Sequence, residues 1–178
     1  LEAQSQVEAE LRPGLYEYEV RALVEYTFLK HNLVTSFPTI VAAGHNATVL
    51  HYTDCSSKIK AGELVVVDCG AEAEGYAADI TRTHAVGKQM SARQKELYDL
   101  VRAVQEYCIS LAKPGLYLKN IKEPERSLHH LALAYFDKEG YARYFPHGLG
   151  HYLGLNVHDV GDYALPLQEG DVITIEPG

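Results

Sequence analysis

The pattern of apolar and polar positions divides the first half of the chain into helical and strand-like segments. Residues 1–11 are polar and compatible with a helix, and an Arg-Pro-Gly sequence at 12–14 then breaks the pattern. Apolar residues recur at helical spacing from Tyr16 to His31, which predicts an amphipathic helix. Residues 38–51 are typical of a strand, a Gly-His-Asn turn and a second short strand.

The second half of the pattern predicts two further helices. Ser91 and Gln94 have the spacing of a capping box, which opens a helix with one apolar face. This helix ends at a Lys-Pro-Gly sequence at 113–115, and another is predicted from about Pro124 to Lys138. Because no linker or charge block separates these segments, the pattern predicts one α+β domain over residues 1–178.

An internal repeat relates residues 60–70 to residues 168–178. Both segments contain a polar residue, Gly, an acid, four mostly β-branched positions and a carboxylate, so that Asp68 aligns with Glu176. Strands that twice deliver a carboxylate suggest two related half-structures facing a common centre, where buried carboxylates must be paired or bind metal. The pattern fits equally well two ordinary strands that share a Gly-acid turn.

The segment after the first copy predicts a β-hairpin that carries two acids. Residues 65–72 and 75–85 form its strands, and a loop at residues 73 and 74 places Asp68 opposite Asp79 on one face. Opposed carboxylates repel unless a cation bridges them, as between the two ions of a dinuclear hydrolase. A slip of one residue would separate the two acids, which leaves two solvated aspartates on an edge hairpin as the alternative.

Three histidines precede the second carboxylate. His147 and His151 are four positions apart, and His158 follows seven positions later. The two glycines between His147 and His151 favour a glycine-rich loop over a regular helix. Imidazoles together with carboxylates favour Mn²⁺, Fe²⁺, Co²⁺ or Zn²⁺ over an all-oxygen Ca²⁺ site.

Composition and charge narrow the class of partner and the compartment. The net charge of -8 argues against nucleic acid or an anionic membrane surface as a partner. No apolar run is long enough to cross a bilayer. The three cysteines lack CxxC spacing, which argues against a disulfide framework or a zinc–thiolate site and favours a reducing cytoplasm.

Four motifs in order along the chain resemble the pita-bread metallopeptidases. They are Val-Asp-Cys-Gly-Ala-Glu at 67–72, Ala-Asp-Ile-Thr-Arg-Thr at 78–83, His-Gly-Leu-Gly-His at 147–151 and Thr-Ile-Glu-Pro-Gly at 174–178. Within the family the match is to the branch of Xaa-Pro aminopeptidase and Xaa-Pro dipeptidase, and it runs from about Tyr16 to Gly178. The resemblance implies a pita-bread α+β fold built of two pseudo-symmetric halves.

The resemblance also implies a set of metal ligands. Asp68, Asp79, His151 and Glu176 would hold two divalent ions; manganese is the expected metal, with cobalt, zinc and iron as alternatives. In the family a fifth ligand, a bridging Glu, lies in a strand that would follow Gly178, and an N-terminal domain would precede this one. We therefore expect the chain to be a fragment that lacks the C-terminal strands of its domain.

The activity that the resemblance implies is hydrolysis of the peptide bond before proline by a dinuclear-metal exopeptidase with a metal-activated hydroxide. Glu176 would shuttle a proton to the leaving nitrogen, and His158 would donate to the oxyanion. His51 and His147 would line the site and contact a peptide with proline at its second position, although His51 is also compatible with a polar strand end. The family further suggests a homodimer.

The sequence leaves three alternatives open. A non-catalytic pita-bread module would bind proteins, and a creatinase-type hydrolase would act without metal; the four intact ligand positions count against both. Methionine aminopeptidase shares the fold, but its histidine motif lacks the pairing of His-Gly-x-x-His with Val-His-Asp that this sequence contains.

Overall fold

The computed structural model describes residues 1–87 and 89–178. These form two compact units, Leu1–Lys95 and Glu96–Gly178. The helices are α1 Glu2–Glu10, α2 Glu17–Lys30, α3 Ala92–Leu111 and α4 Leu128–Lys138. The strands are β1 Val34–Thr35, β2 Ile40–Ala43, β3 Leu64–Cys69, β4 Ala71–Ala73, β5 Tyr76–Ala77 and β6 Ile80–Ala85. In the part of the chain that the structure describes, no helix combines the length and the hydrophobicity that crossing a bilayer requires.

The first unit is built on two small antiparallel sheets. One has the order β2-β3-β6 and the other the order β1-β4-β5. Buried and half-buried residues alternate along β3, as expected for a strand with one face in the core. The core combines this face with residues of β2 and with the apolar sides of α1 and α2: Ala3, Val7, Val20, Val24, Val41, Val65 and Val67. Helix α2 confirms the amphipathic helix predicted from the sequence.

The hairpin that carries the two acids differs from its prediction in loop and register. Its loop is Glu74-Gly75, whose φ angles of 54° and 83° are those of a type I′ turn. With this loop Asp68 lies opposite Thr81, so the predicted pairing of Asp68 with Asp79 is wrong. The error is two positions, and because side chains alternate with a period of two, the predicted shared face is unaffected.

The hairpin is also interrupted at Gly70. The two long strands predicted at 65–72 and 75–85 are each split, and their parts belong to different sheets. A Cβ atom on Gly70 would lie 1.6 Å from the carbonyl oxygen of Ala78, so only glycine allows the two backbones to approach this closely. The Ser36 hydroxyl donates to the same oxygen at 2.7 Å. Crowding around the Ala78 carbonyl therefore breaks the ladder beside Asp68 and Asp79.

Residues 38–51 contain one strand rather than two. Strand β2 is followed by a 3₁₀ turn at Gly44–Thr48, and the second short strand is not formed in the described residues. The segment after the turn is instead held by side-chain hydrogen bonds to Glu17.

Helices α3 and α4 confirm the helices predicted for the second half of the chain, with one change. Ser91 and Gln94 form the predicted capping box at the start of α3, with bonds of 2.8 and 3.2 Å between side chain and backbone. The helix predicted from Pro124 is split into a 3₁₀ turn, Pro124–Arg126, and α4. The break occurs because the extended backbone of Ser127 pairs with Tyr117.

The second copy of the repeat is extended but does not form a regular strand, so that prediction is wrong. Residues 172–176 run antiparallel to residues 149–153, with backbone bonds such as Thr174 N to His151 O at 2.9 Å and Glu176 N to Leu149 O at 2.8 Å. The His151 N–H, which a ladder would direct to the Thr174 carbonyl, donates instead to the Thr174 hydroxyl at 2.9 Å. Only an isolated bridge between Tyr152 and Ile173 therefore results.

Candidate metal-binding and catalytic residues

Two neighbouring carboxylates lie at the interruption of the hairpin in the first unit. Asp68 is the fifth residue of β3, and Asp79 directly precedes β6. The Thr81 hydroxyl, across the strand pair, donates to Asp68 Oδ1 at 2.8 Å. The Asp79 side chain is hydrogen-bonded to that of Asp68. The structure thus brings together the two acids that the sequence predicted to act together.

The surroundings of the Asp68 carboxyl group favour its neutral form. Burial and the adjacent negative charge of Asp79 raise the pKa of Asp68 to about 6, although the hydrogen bond from Thr81 and the charge of His51 act in the opposite direction. Two carboxyl groups this close share a proton unless a cation between them allows both to stay ionised. A divalent cation is therefore a natural partner for this pair.

Gln4 supports both acids, and the sequence contained no signal for this role. Its side chain is buried (5% of the residue exposed), and Nε2 lies 3.0 Å from the carbonyl oxygen of Val67 and 3.1 Å from that of Ile80. Val67 precedes Asp68, and Ile80 follows Asp79. One amide from α1 therefore ties together the two backbones that carry the acids.

His51 belongs to the same part of the first unit. Its imidazole interacts favourably with the Asp68 carboxylate, since its charge lowers the pKa of that acid. The side chain is exposed, and its backbone has a φ of 54°, in the left-handed region that is unusual for a residue other than glycine. The predicted role of His51 in contacting substrate stays a prediction.

In the second unit, His151 and Glu176 form a matching pair of donors. His151 is 8% exposed, and its Nδ1 lies 3.0 Å from the carbonyl oxygen of Tyr152. Because a carbonyl can only accept, Nδ1 carries the proton and the lone pair of the neutral ring is on Nε2. This atom lies 3.1 Å from Glu176 Oε1. The side-chain carboxylate of Glu176 thus faces the unprotonated nitrogen of an imidazole whose tautomer is fixed.

Thr174 and Gly150 hold this pair in place. The Thr174 hydroxyl accepts from the backbone N–H of His151 and donates to Glu176 Oε1 at 2.7 Å. A Cβ atom on Gly150 would lie 2.0 Å from the Thr174 carbonyl oxygen, so glycine is required where the two segments touch. The residues between His147 and His151 are not helical, which confirms the glycine-rich loop predicted there.

The two remaining histidines lie beside the same pair. The ring of His158 stacks on that of His151, with 3.9 Å between centroids and 13° between planes. His147 packs edge-on against Phe145, and its Nδ1 donates to the Gly148 carbonyl at 2.6 Å. A Cβ atom on Gly178 would lie 3.8 Å from His147 Nε2, so His147 is close to the end of the segment that carries Glu176.

The chemistry of both donor sets fits divalent cations. Each unit contains two groups whose lone pairs or negative charges face each other at hydrogen-bond distance: two carboxylates in the first, an imidazole and a carboxylate in the second. Oxygen and imidazole nitrogen are the ligands that Mn²⁺, Fe²⁺, Co²⁺ and Zn²⁺ accept. Hydrogen bonds from Thr81 and Thr174 orient the ligands, as outer-shell groups of metal sites commonly do.

Comparisons with known proteins place the chain among metallopeptidases. The profile of metallopeptidase family M24 matches residues 2–178. Xaa-Pro aminopeptidase of Haemophilus influenzae is 38% identical over 183 residues, covering 94% of this chain and 43% of the relative. Xaa-Pro dipeptidase of Pyrococcus horikoshii is 38% identical over 174 residues, covering 95% of this chain and 47% of the relative.

The structural comparison identifies the fold. Zinc-substituted aminopeptidase P of Escherichia coli, in complex with product, matches with a TM-score of 0.87 and 33% identity over 99% of this chain and 44% of that chain. The chain therefore has the predicted pita-bread fold. It spans less than half the length of each of these relatives.

Proposed function

Because this chain belongs to metallopeptidase family M24, we propose that it takes part in the metal-dependent hydrolysis of peptide bonds that precede proline. The observation that carries this proposal is the pair of His151 Nε2 and Glu176 Oε1, 3.1 Å apart, with the imidazole tautomer set by the Tyr152 carbonyl. Two such electron-pair donors, placed face to face, are suited to binding a cation. Relatives named Xaa-Pro aminopeptidase and Xaa-Pro dipeptidase support an exopeptidase that recognises Xaa-Pro.

The proposed ligands are the four residues that the sequence singled out. The family resemblance assigns two divalent ions to Asp68, Asp79, His151 and Glu176, with Mn²⁺ as the expected metal. When bound, the ions supply a water of lowered pKa and polarise the scissile carbonyl. A bound cation would offset the repulsion between Asp68 and Asp79, which adds to burial in raising the pKa of Asp68.

Glu176 is the proposed proton carrier. Thr174 donates to its Oε1, so Oε2 is assigned to take the proton from the attacking water and pass it to the leaving nitrogen. That transfer is essential before proline, because the amide nitrogen of an Xaa-Pro bond has no hydrogen of its own. The leaving group departs only after this nitrogen is protonated.

The histidines have proposed roles in binding and in stabilising charge. His158, stacked on His151, would donate a hydrogen bond to the oxyanion of the tetrahedral intermediate. His51 and His147 would contact the peptide, and the edge-on packing of His147 against Phe145 offers an apolar wall for the proline ring.

A homodimer is the proposed assembly of the protein. The proposed location is the cytoplasm, which is consistent with three buried thiols at Cys55, Cys69 and Cys108.

The proposal is tested by metal analysis together with three substrates. The protein is loaded with Mn²⁺, dialysed, and analysed for bound metal and for hydrolysis of Ala-Pro-Ala, Ala-Pro and Met-Ala-Ser. Bound manganese with cleavage of either proline peptide supports the proposal, and cleavage of Ala-Pro alone identifies a dipeptidase. Cleavage of Met-Ala-Ser alone would select methionine aminopeptidase. Hydrolysis without any bound metal would select a creatinase-type reaction, and absence of both would select a non-catalytic binding module.

A further inference from the structure

Glu17, the first residue of α2, is a fully buried carboxylate outside the proposed metal ligands. It is 0% exposed. A buried carboxylate is strongly destabilising unless hydrogen-bond donors surround its oxygens. Neutral donors fill this role on both oxygens: Ala43 N at 2.7 Å and Asn46 Nδ2 at 2.9 Å on Oε1, and Tyr52 Oη at 2.9 Å and Ser57 N at 2.8 Å on Oε2.

All four donors belong to residues 43–57, the segment that carries His51. Apart from Ala43, the last residue of β2, and the 3₁₀ turn Gly44–Thr48, its residues have no regular secondary structure. His51 and Cys55 have φ angles of 54° and 46°. The left-handed region costs a residue with a Cβ atom roughly 1–2 kcal/mol. Such conformations persist where surrounding contacts hold them, and here the contacts converge on Glu17.

Residues that are hydrogen-bonded to Glu17 flank His51 in the sequence on both sides. Asn46 precedes it by five residues, and its Nδ2 also lies 3.0 Å from Tyr52 Oη and 2.9 Å from Ser57 Oγ. Tyr52 follows His51 directly, and its hydroxyl donates to Glu17 while accepting from Asn46. The peptide that joins His51 to Tyr52 is therefore attached to a side chain whose end is held by two partners.

We propose that Glu17 is a positioning residue that holds His51 in the orientation needed to contact substrate. Glu17 does not itself reach the reacting atoms; it acts through Asn46 and Tyr52. The proposal rests on the proposed function, in which His51 contacts the peptide. It goes beyond that function by assigning a buried acid on a different element to the same step.

A double-mutant cycle on the purified protein tests the coupling. The value of kcat/KM for Ala-Pro-Ala is measured for the wild type, Glu17→Gln, His51→Ala and the double variant. Gln replaces an acceptor oxygen by an amide that opposes the donors, so we expect kcat/KM to fall about tenfold through misplacement of His51. In the His51→Ala background the same change should alter kcat/KM by less than about twofold. The same loss in both backgrounds, or none in either, would overturn the proposal.

Thr27→Val is the matched control for lost stability. Thr27 lies in the same helix, is 2% exposed, and its hydroxyl is hydrogen-bonded to Gln6 Oε1 at 2.7 Å, far along the helix from residues 43–57. This variant should lower the melting temperature and leave kcat/KM unchanged. If Glu17→Gln does not fold, Tyr52→Phe takes its place in the cycle, since it removes only the phenolic oxygen that Glu17 accepts from.

A measurement of backbone mobility separates this proposal from the proposed function. The NMR order parameter of the His51 amide should be about 0.85 in the wild type and in Thr27→Val, and below about 0.6 in Glu17→Gln. An unchanged value in Glu17→Gln would overturn the positioning role. A wild type without Xaa-Pro hydrolysis would overturn the proposed function alone, and the order parameter would then decide on Glu17.

Discussion

His151 and Glu176 face each other with 3.1 Å between Nε2 and Oε1, although a neutral imidazole and a carboxylate both present lone pairs at that contact. The Tyr152 carbonyl holds the ring proton on Nδ1, and the Thr174 hydroxyl holds Oε1, so neither side chain turns away without breaking a hydrogen bond. A cation shared between them removes the repulsion. The pair is therefore built to bind a proton or a metal ion.

Alanine variants of the two stacked histidines, His151 and His158, should affect metal binding and catalysis differently. We expect His151→Ala to weaken Mn²⁺ binding at least as much as loss of an outer-shell group does, about 10- to 100-fold. His158→Ala should keep the Mn²⁺ affinity and lower kcat, because His158 stacks on His151 without being a proposed ligand. Titration calorimetry measures the first quantity and steady-state kinetics the second. Equal losses of affinity in the two variants would contradict the assignment.

Asp79→Asn should abolish hydrolysis without unfolding the protein. The amide keeps a hydrogen bond to Asp68 but removes the negative charge that raises the pKa of that acid. We therefore expect a melting temperature in EDTA equal to or above that of the wild type, together with lost Mn²⁺ binding. Glu72→Gln, an exposed change in β4 of the same hairpin, is the control and should retain activity. A fully active Asp79→Asn would refute the bridging role.

Gln4→Leu should weaken both the fold and the metal affinity. It leaves the carbonyl groups of Val67 and Ile80 without the Nε2 donor, which we expect to lower the free energy of unfolding by about 1–3 kcal/mol. Gln6→Leu, in the same helix, is the control because it removes a hydrogen bond to Thr27 in α2 instead. Urea unfolding and Mn²⁺ titration of both variants provide the comparison. If Gln4→Leu and Gln6→Leu lower the free energy of unfolding equally and neither changes the Mn²⁺ affinity, Gln4 has no role at the two acids.

The two glycines of the His-Gly-Leu-Gly-His motif should respond differently to alanine. At Gly150 a Cβ atom would lie 2.0 Å from the Thr174 carbonyl, so the segments carrying His151 and Glu176 must move apart. At Gly148 the nearest atom is 3.9 Å away. We expect Gly150→Ala to destabilise the protein by roughly 1–3 kcal/mol with loss of Mn²⁺ binding. Gly148→Ala should be neutral or stabilising by up to about 1 kcal/mol, as measured by chemical denaturation.

His129 should make the protein less stable in mild acid. Burial, followed by the charges of Lys119, His130 and His147, lowers the pKa of His129 from 6.5 to about 4. Its Nδ1 is buried with no hydrogen-bond partner among the described residues, so this nitrogen lacks an acceptor that would stabilise the imidazolium. Between pH 4 and 6.5 the unfolded chain binds more protons. The stability contributed by the neutral ring is thus complete above pH 6.5 and is lost as the pH falls toward 4.

The size of this effect can be measured with one pair of variants. Because the ring is only partly buried, we expect about 1–2 kcal/mol between pH 7 and pH 4.5 rather than the full linkage value. His129→Phe should lack this part of the pH dependence, while His45→Phe on the exposed 3₁₀ turn should retain it. Urea unfolding at the two pH values provides the numbers. The same pH slope in His129→Phe and the wild type would contradict the assignment.

Local patterns in the sequence were sufficient to predict helices α2 and α3 and the shared face of Asp68 and Asp79. Helical periodicity depends on neighbours three and four positions apart, and it located α2 and α3 correctly. The hairpin prediction placed Asp68 and Asp79 on one face, and this survived a register error because the error was an even number of residues. The second carboxylate segment was predicted as a strand, but a side-chain hydroxyl, that of Thr174, competes for the ladder hydrogen bond.

From the order of residues alone one can therefore identify the family and propose the metal ligands, because four motifs in order along the chain resemble that family. The three-dimensional contacts settled how those side chains are held. Gln4 reaches carbonyl groups 63 and 76 positions away, and Glu17 accepts from residues up to 40 positions away. Apolar and polar periodicity contains no information about such long-range hydrogen bonds, since a buried Gln or Glu looks like a surface residue until the donors and acceptors around it are known.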